Sequence, residues 1–232
     1  MTPMQLTGLD TQHLVPCPIA EHSPLVRVHH AVSQPLLALY RAAKTAGFDL
    51  QLASAHRDFH RQAAIWQGKW QGARAILNDA NQPIDLHTLS DAQKVHAIMR
   101  WSALPGTSRH HWGCDFDLYA KNCLPPAQSL ALEPWEYQQG GHQYEFALWL
   151  EENLSRFEFF LPYRRDRGGV GIEPWHVSYA PMSQTALTQL NVAVLTQCYQ
   201  QHPVAGQAII DTMLPELLQR YVYNIASFDE EQ

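Results

Sequence analysis

Leu36, Leu37, Leu39, Tyr40 and Ala43 recur at helical spacing and Gly47 follows as a stop, which predicts a helix over 36–47. Phe48, Leu50 and Leu52 alternate with their neighbours and predict a strand over 48–54. A helix is expected from about Asp58, through Ala63, Ala64 and Trp66, into a polar stretch ending near Pro83. Ser90 or Asp91 caps the next one, which uses Val95, Ile98 and Met99 and stops before Pro105-Gly106. Residues 113–119 alternate as a strand, 121–140 hold three prolines and predict a loop, and 143–157 form an amphipathic helix. Strands over 159–163 and 170–179 flank an Arg/Gly turn, and helices over 183–200 and 205–226 close the chain. Residues 1–30 are aperiodic and read as an extended arm. Strands mixed irregularly with helices imply an α+β fold, with a small antiparallel sheet flanked by helices rather than a doubly wound parallel sheet. The expected organisation is one domain over 1–182, with the N-terminal arm, and a helical extension over 183–232 packed on it.

Composition narrows the class. Of 232 residues, 46% are hydrophobic and 16% charged, against about 25% charged in an average soluble protein. A disordered chain needs the opposite balance. The formal charge of −6 and the lack of a basic stripe exclude a general nucleic-acid binder. Arg164, Arg165 and Arg167 are interrupted by Asp166 and run into Gly168-Gly169, as in a solvated turn. Cys17, Cys114, Cys123 and Cys198 are scattered and suggest reduced thiols. Neither a signal-peptide pattern nor an apolar run of membrane-spanning length is found, so the expectation is a cytoplasmic protein. Thirteen histidines nearly match the 16 Lys and Arg together, which raises the question of metal chemistry.

Three segments concentrate reactive side chains. The first is Ser54-Ala55-His56-Arg57 with Gln62 after it. The second runs from Pro105 through Ser108, His110, His111, Gly113 and Asp115 to Asp117. The third is Glu173-Pro174-Trp175-His176. A catalytic zinc takes about three His or carboxylate ligands and keeps one position open. The second and third segments offer His110, His111, Asp115, Asp117, Glu173 and His176. Strand alternation would put His111, Asp115 and Asp117 on one face and His110 on the other, though Gly113 can break that parity. Pro174 disfavours a helix at Glu173, so Glu173 and His176 are not the paired ligands of a helical zinc motif.

These blocks, in order over residues 54–179, resemble the signature of the zinc D-alanyl-D-alanine carboxypeptidase family. These VanY-like metallopeptidases share a fold with lysostaphin-type peptidases and hedgehog domains. The family pattern is Ser-x-x-Arg with a following Gln, Ser-x-His-x-x-Gly-x-x-x-Asp, and Glu-x-Trp-His. The resemblance implies one Zn2+ per chain held by His110, Asp117 and His176, and Glu173 as general base. It implies that Arg57 holds the substrate carboxylate or polarises the scissile carbonyl, that Ser108 helps position the substrate peptide, and that Gln62 supports the same pocket. Arg109, Trp112, Cys114 and Asp115 depart from the residues common in the family, and Asp115 is a candidate for orienting a histidine ligand. The implied partner is a peptidoglycan-derived peptide losing a terminal D-alanine, with no nucleic acid and no membrane. The cytoplasmic expectation favours an L,D bond in muropeptide recycling over a D,D bond. An endopeptidase, or a binding module with a structural zinc, are the other readings of the scaffold.

The remaining candidates read as structural. His56 and His60 are spaced for a helix face but lack a third ligand nearby, and His29-His30 reads as loop surface. Trp135, Tyr137 and Tyr144 suit a core or a substrate groove. The apolar residues of the last fifty positions fit an intramolecular helical cap, with a homodimer interface or a lid as the alternatives.

Overall fold

In the computed structural model, which describes residues 1–20, 25–80 and 82–231, residues 1–20 and 25–30 pack against the core rather than forming an extended arm. Helix α1 (Pro3–Leu6) starts from a capping box between Thr2 and Gln5. Strands β1 (Leu14–Pro16) and β2 (Arg27–His29) then pair antiparallel, Leu14 opposite His29. Leu6, Leu14 and Val28 are buried, and so is His29, which is not loop surface. The arm docks on Gly113, whose carbonyl accepts from the His29 N–H at 2.7 Å. At Gly113 φ is +70°, and a Cβ there would come within 2.5 Å of Leu14 Cδ2 and 2.9 Å of the His29 nitrogen. Glycine is therefore required both by the left-handed turn and by the close approach of β2.

Helix α2 (Ser33–Thr45) buries Leu36, Leu39 and Ala43, and Gly47 follows it at φ +90°. Strand β3 (Leu50–Ser54) leads to α3 (Phe59–Trp70), which Asp58 caps by accepting from the Arg61 N–H at 2.7 Å. The helix ends well short of Pro83, because Gly72 takes φ +78° just past its end, the position where glycine terminates helices. Helix α4 (Asp91–Met99) has Ser90 as its N-cap, with a capping box to Gln93. Strand β4 (Asp115–Ala120), helix α5 (Pro134–Tyr137) and helix α6 (Tyr144–Asn153) follow. Strand β5 is only Phe159–Phe160 and β6 only His176–Tyr179, because residues 161–175 are taken up by the Arg/Gly turn and its approaches. The turn is pinned: Arg100 grips the Asp166 carboxylate through two nitrogens at 3.0 and 2.6 Å.

Three helices, not two, end the chain: α7 (Ala180–Gln189), α8 (Val192–Gln201) and α9 (Gln207–Leu217). Asn191 starts α8 by accepting from the Val194 N–H, and Pro181 in the first turn suits the earlier start of α7. Leu195, Ile210, Leu214, Leu217 and Leu218 are buried in the same core cluster as the sheet, which is what an intramolecular cap requires. The Trp66 indole of α3 donates to the Ala205 carbonyl and ties this tail to the rest.

The four-stranded antiparallel sheet has the order β3-β4-β6-β5. Phe116 and Val177 are partners across β4 and β6 and are fully buried. Burying side chains of this size is worth roughly 1.5–3 kcal/mol each. On the alternate positions, Asp117 pairs with His176 and Asp115 with Ser178. One face of two central strands thus carries two carboxylates, an imidazole and a hydroxyl. Among the described residues no helix is long and apolar enough to cross a membrane.

Candidate metal centre and catalytic cavity

The sheet register builds half of the centre. Asp117 and His176 face one another across β4 and β6, with His176 Nδ1 3.2 Å from Asp117 Oδ1. The third group arrives on a 3-10 turn, Arg109–Trp112, which Gly113 ends. That turn is not part of a strand, so the alternation that favoured His111 does not apply. It presents His110 Nε2 3.3 Å from Asp117 Oδ2. Ligand atoms of His110, Asp117 and His176 all lie within 4.8 Å of one another, and the three residues are buried.

His111 goes the other way. Its Nδ1 lies 2.6 Å from the Arg57 carbonyl and its Nε2 accepts from the Gly106 N–H at 3.1 Å. Both ring nitrogens are thus taken by backbone, and burial pushes its pKa down to about 3. It clasps the Arg57 segment to the Pro105-Gly106 turn and takes no part in the three-residue group.

The surroundings choose which nitrogen each ligand candidate offers. His110 Nδ1 lies 3.2 Å from the Asp115 carbonyl oxygen and donates to it, which leaves Nε2 facing Asp117. His176 Nε2 lies 3.2 Å from Asp115 Oδ1, which leaves Nδ1 facing Asp117 and 3.5 Å from Glu173 Oε2. Asp115 is in turn held by Arg109 Nε at 2.7 Å, and Arg109 Nη2 donates to Ser178 Oγ at 2.6 Å. Side-chain exposure is 3% for Arg109 and 0% for Asp115, so this ion pair is wholly internal. The Cys114 thiol points at Asp115 Oδ2, not at the centre, and burial keeps it protonated.

Electrostatics follow from this packing. Burial alone would raise Asp117, but the two imidazoles hold it well below the usual carboxylate range. Burial would lower His176, but the Asp115 and Asp117 carboxylates beside its two ring nitrogens outweigh it and hold the imidazolium up to about 9. Burial pushes the Glu173 carboxyl up to about 7, with Asp117 adding to the shift and His176 and Arg57 opposing it. Glu173 sits on a turn before β6, its N–H donating to the Tyr163 carbonyl and its own carbonyl accepting from the His176 N–H.

Asp117 Oδ1 is buried without a hydrogen-bond donor of good geometry. A buried carboxylate flanked by two imidazole nitrogens, one of its oxygens without a donor, is what a bound cation would satisfy. Two nitrogens and one hard oxygen are a ligand set that suits Zn2+.

The centre opens on a cavity of about 870 Å3 lined by Arg57, Ser108, Glu173 and Trp175 among others. Gln62 stands behind Arg57: Arg57 Nη1 donates to Gln62 Oε1 at 2.9 Å and Nη2 to Ser54 Oγ at 3.1 Å. Gln62 Nε2 donates to the Ala103 carbonyl at 2.6 Å, so the arginine is braced from two elements. Ser108 is buried at the start of the 3-10 turn. Of the three aromatic candidates, Trp135 lines the cavity, Tyr137 is core and Tyr144 lies outside it. His56 precedes α3, and His60 packs edge-on against Phe59 and His202. Sequence reasoning did not single out Tyr163, whose ring centroid is 5.0 Å from that of His176, nor Lys69 and Arg74 in the cavity wall. Nothing in the local pattern marks them, since the walls come together only through folding.

A family profile described as VanY, D-alanyl-D-alanine carboxypeptidase, matches residues 25–182. The chain belongs to this family. A protein of Haemophilus influenzae, without an assigned function, is 37% identical over 121 residues, which is 51% of this chain and 92% of that one. A mutant of the vancomycin-resistance D,D-pentapeptidase VanY in complex with Zn(II) superposes with a TM-score of 0.50 at 26% identity, over 77% of this chain and 85% of that one. VanYB in complex with D-alanine-D-alanine gives 0.50 at 25% identity, over 88% and 93%. The LD-carboxypeptidase LdcB gives 0.55 over 92% and 80%, at 16% identity, which is a likeness of fold. The family match makes this VanY-type chain a hydrolase by kinship, and its α+β architecture is that of its neighbours.

Proposed function

We propose that this VanY-family chain is a zinc carboxypeptidase that releases the terminal D-alanine of a peptidoglycan-derived peptide. The observation that carries it is one cavity holding both the His110–Asp117–His176 triad and a braced arginine, with Glu173 between them. Bound Zn2+ would supply Lewis-acid polarisation of the scissile carbonyl and a lower pKa for the attacking water. His110 Nε2, an Asp117 oxygen and His176 Nδ1 would hold it. Glu173, pushed toward neutrality, takes the proton from the attacking water and returns it to the leaving amine, a role worth roughly 10²–10⁴ in rate. Arg57 binds the terminal carboxylate through its planar fork, with Gln62 and Ser54 fixing the plane. Ser108 positions the peptide beside the metal.

Between the two bonds available, the cavity supports the L,D reading. A D,D bond places only a methyl group on the residue whose carbonyl is attacked. The cavity, about 870 Å3 in all, has room for a long side chain such as diaminopimelate or lysine, the third residue of a tetrapeptide. In a cytoplasmic enzyme, tetrapeptides returned from wall turnover would be such a substrate, and the proposed role is recycling. The test compares tetrapeptide and pentapeptide substrates as free acids and as C-terminal amides. Release of D-alanine from the free-acid tetrapeptide alone supports the proposal. Equal cleavage of acid and amide would favour an endopeptidase.

A further inference from the structure

Lys69 and Arg74 stand in the wall of the catalytic cavity, where Lys69 also feels the charge of Glu173. Helix α3 explains the first placement. Gln62, Ile65 and Lys69 fall on one stripe of α3, with Lys69 two turns beyond Gln62, roughly 10 Å along the axis. Gln62 braces Arg57 at one end of that stripe, so Lys69 marks a second position along the same wall. Arg74 folds back over the helix. Its N–H donates to the Gly68 carbonyl at 2.9 Å, and its stem crosses Gly68 so closely that a Cβ there would lie 3.2 Å from Cγ and Cδ.

Two cations are therefore held near one another. Burial, and then the Arg74 charge, pushes Lys69 below its ordinary value. Glu173 opposes that shift, while two other acids of the cavity wall are engaged elsewhere: Asp79 is 2.7 Å from Arg100, and Glu133 accepts from the Trp135 indole. A cation in the last turn of a helix is favoured by the C-terminal carbonyls, which accounts for Lys69 alone. It does not account for Arg74 or for both lining the cavity.

We propose that Lys69 and Arg74 form a second carboxylate subsite that reads an acidic group on the acyl side of the scissile bond. The inference rests on the carboxypeptidase reading, in which Arg57 takes the terminal carboxylate. An extended peptide advances about 3.3–3.6 Å per residue. A second carboxylate roughly 10 Å from the first thus sits at the tip of a long side chain on the attacked residue, or on the residue before it. The enzyme is then selective for peptides with an acidic side chain at one of these two positions, such as diaminopimelate with a free side-chain carboxylate at the attacked one.

The test uses the full chain loaded with zinc and tetrapeptides ending in D-alanine. One series carries diaminopimelate, its side-chain amide or lysine at the third position; a second carries an acid or its amide at the second position. For one series, kcat/KM is expected to be at least tenfold higher for the acid than for the amide, mainly through KM. The Lys69→Gln/Arg74→Gln double variant is expected to treat acid and amide alike, with zinc content and melting temperature unchanged. Binding of the same peptides to zinc-loaded Glu173→Gln, with and without the double substitution, is measured by calorimetry and reads the subsite independently of turnover. Equal binding of acid and amide by the protein with Lys69 and Arg74 intact, or a preference that survives the double substitution, overturns the subsite. Absence of D-alanine release from every peptide, with the binding preference intact, overturns the carboxypeptidase reading and leaves the subsite standing.

Discussion

Replacing Asp115 by Asn removes one negative charge from the interior while keeping the side chain's shape. In the native protein Asp115 Oδ1 accepts from Arg109 Nε at 2.7 Å and from His176 Nε2 at 3.2 Å. Two losses follow. Arg109 is 3% exposed, so its charge would be left without a counter-ion, and breaking a buried pair in this way costs about 3–5 kcal/mol of folding stability. His176 Nε2 would also face a neutral amide oxygen in place of a carboxylate, a weaker acceptor that holds the ring less firmly with Nδ1 toward Asp117. Loss of such an outer partner typically lowers metal affinity 10–100-fold, or about 1.4–2.8 kcal/mol. The first effect can be separated by removing both charges in Arg109→Met/Asp115→Asn, which restores much of the stability but none of the orientation. Competition titration with a chromophoric chelator gives the zinc dissociation constant, and thermal melting of the metal-free proteins gives stability. The expected outcome is weakened zinc binding in both variants, with a large melting loss only in the single one. Unchanged zinc affinity in both would refute the orienting role of Asp115.

Further outcomes follow from the same geometry. With His176 held protonated up to about 9, zinc loading at pH 7.5 should release about one proton, and affinity should rise roughly tenfold per pH unit below 9; pH-indicator titration reads this directly, and proton-free binding would contradict it. Glu173 has a folded-state pKa raised to about 7 from an ordinary 4.5, so its contribution to the metal-free fold is present below about pH 4.5 and is lost as pH rises through 7. Glu173→Gln should therefore stabilise the metal-free protein at pH 8 by up to about 3 kcal/mol and not at pH 4.5, while abolishing hydrolysis in the zinc-loaded one. Arg57→Lys should lower kcat/KM on free-acid peptides by roughly 10–100-fold, since the fork held by Gln62 and Ser54 is lost, and should leave amidated peptides little affected. Gly113→Ala should destabilise the fold by more than the ~1–2 kcal/mol of a left-handed residue, seen as a fall in melting temperature, because the new methyl meets β2 backbone.

Elements whose boundaries are written in local chemistry were legible before folding was considered. Asp58 and Ser90 cap α3 and α4, and Gly47 follows α2, each by a contact within a few residues. Elements that exist only through distant partners were not. Strands β1 and β2 are three residues each, too short to show alternation, and they are stabilised by Gly113 about a hundred positions on. The last fifty positions show a continuous apolar stripe, but Asn191 caps a new helix where periodicity alone bridges the gap. At the site, the short motifs pointed to His110, Asp117, Glu173 and His176, and the fold brings these four side chains together. Alternation misjudged His111, because residues 109–112 form a 3-10 turn whose side chains do not obey strand parity. Arg109 and Asp115 stood out only as departures from a pattern; their ion pair and its hold on His176 need the β4–β6 register to be seen. Lys69 lay in what reads as a polar helical stretch, and only the closing of the cavity gives it a place near Glu173.

The central claim is that this centre removes one D-alanine from the free end of a wall peptide. Mass analysis of the products that the zinc-loaded protein forms from a mixed muropeptide digest tests it most directly. The account predicts that tetrapeptide species disappear, that tripeptide species rise in equal amount together with free D-alanine, and that Glu173→Gln forms neither product. A digest returned unchanged, or one in which only internal cross-links are cut, would contradict it.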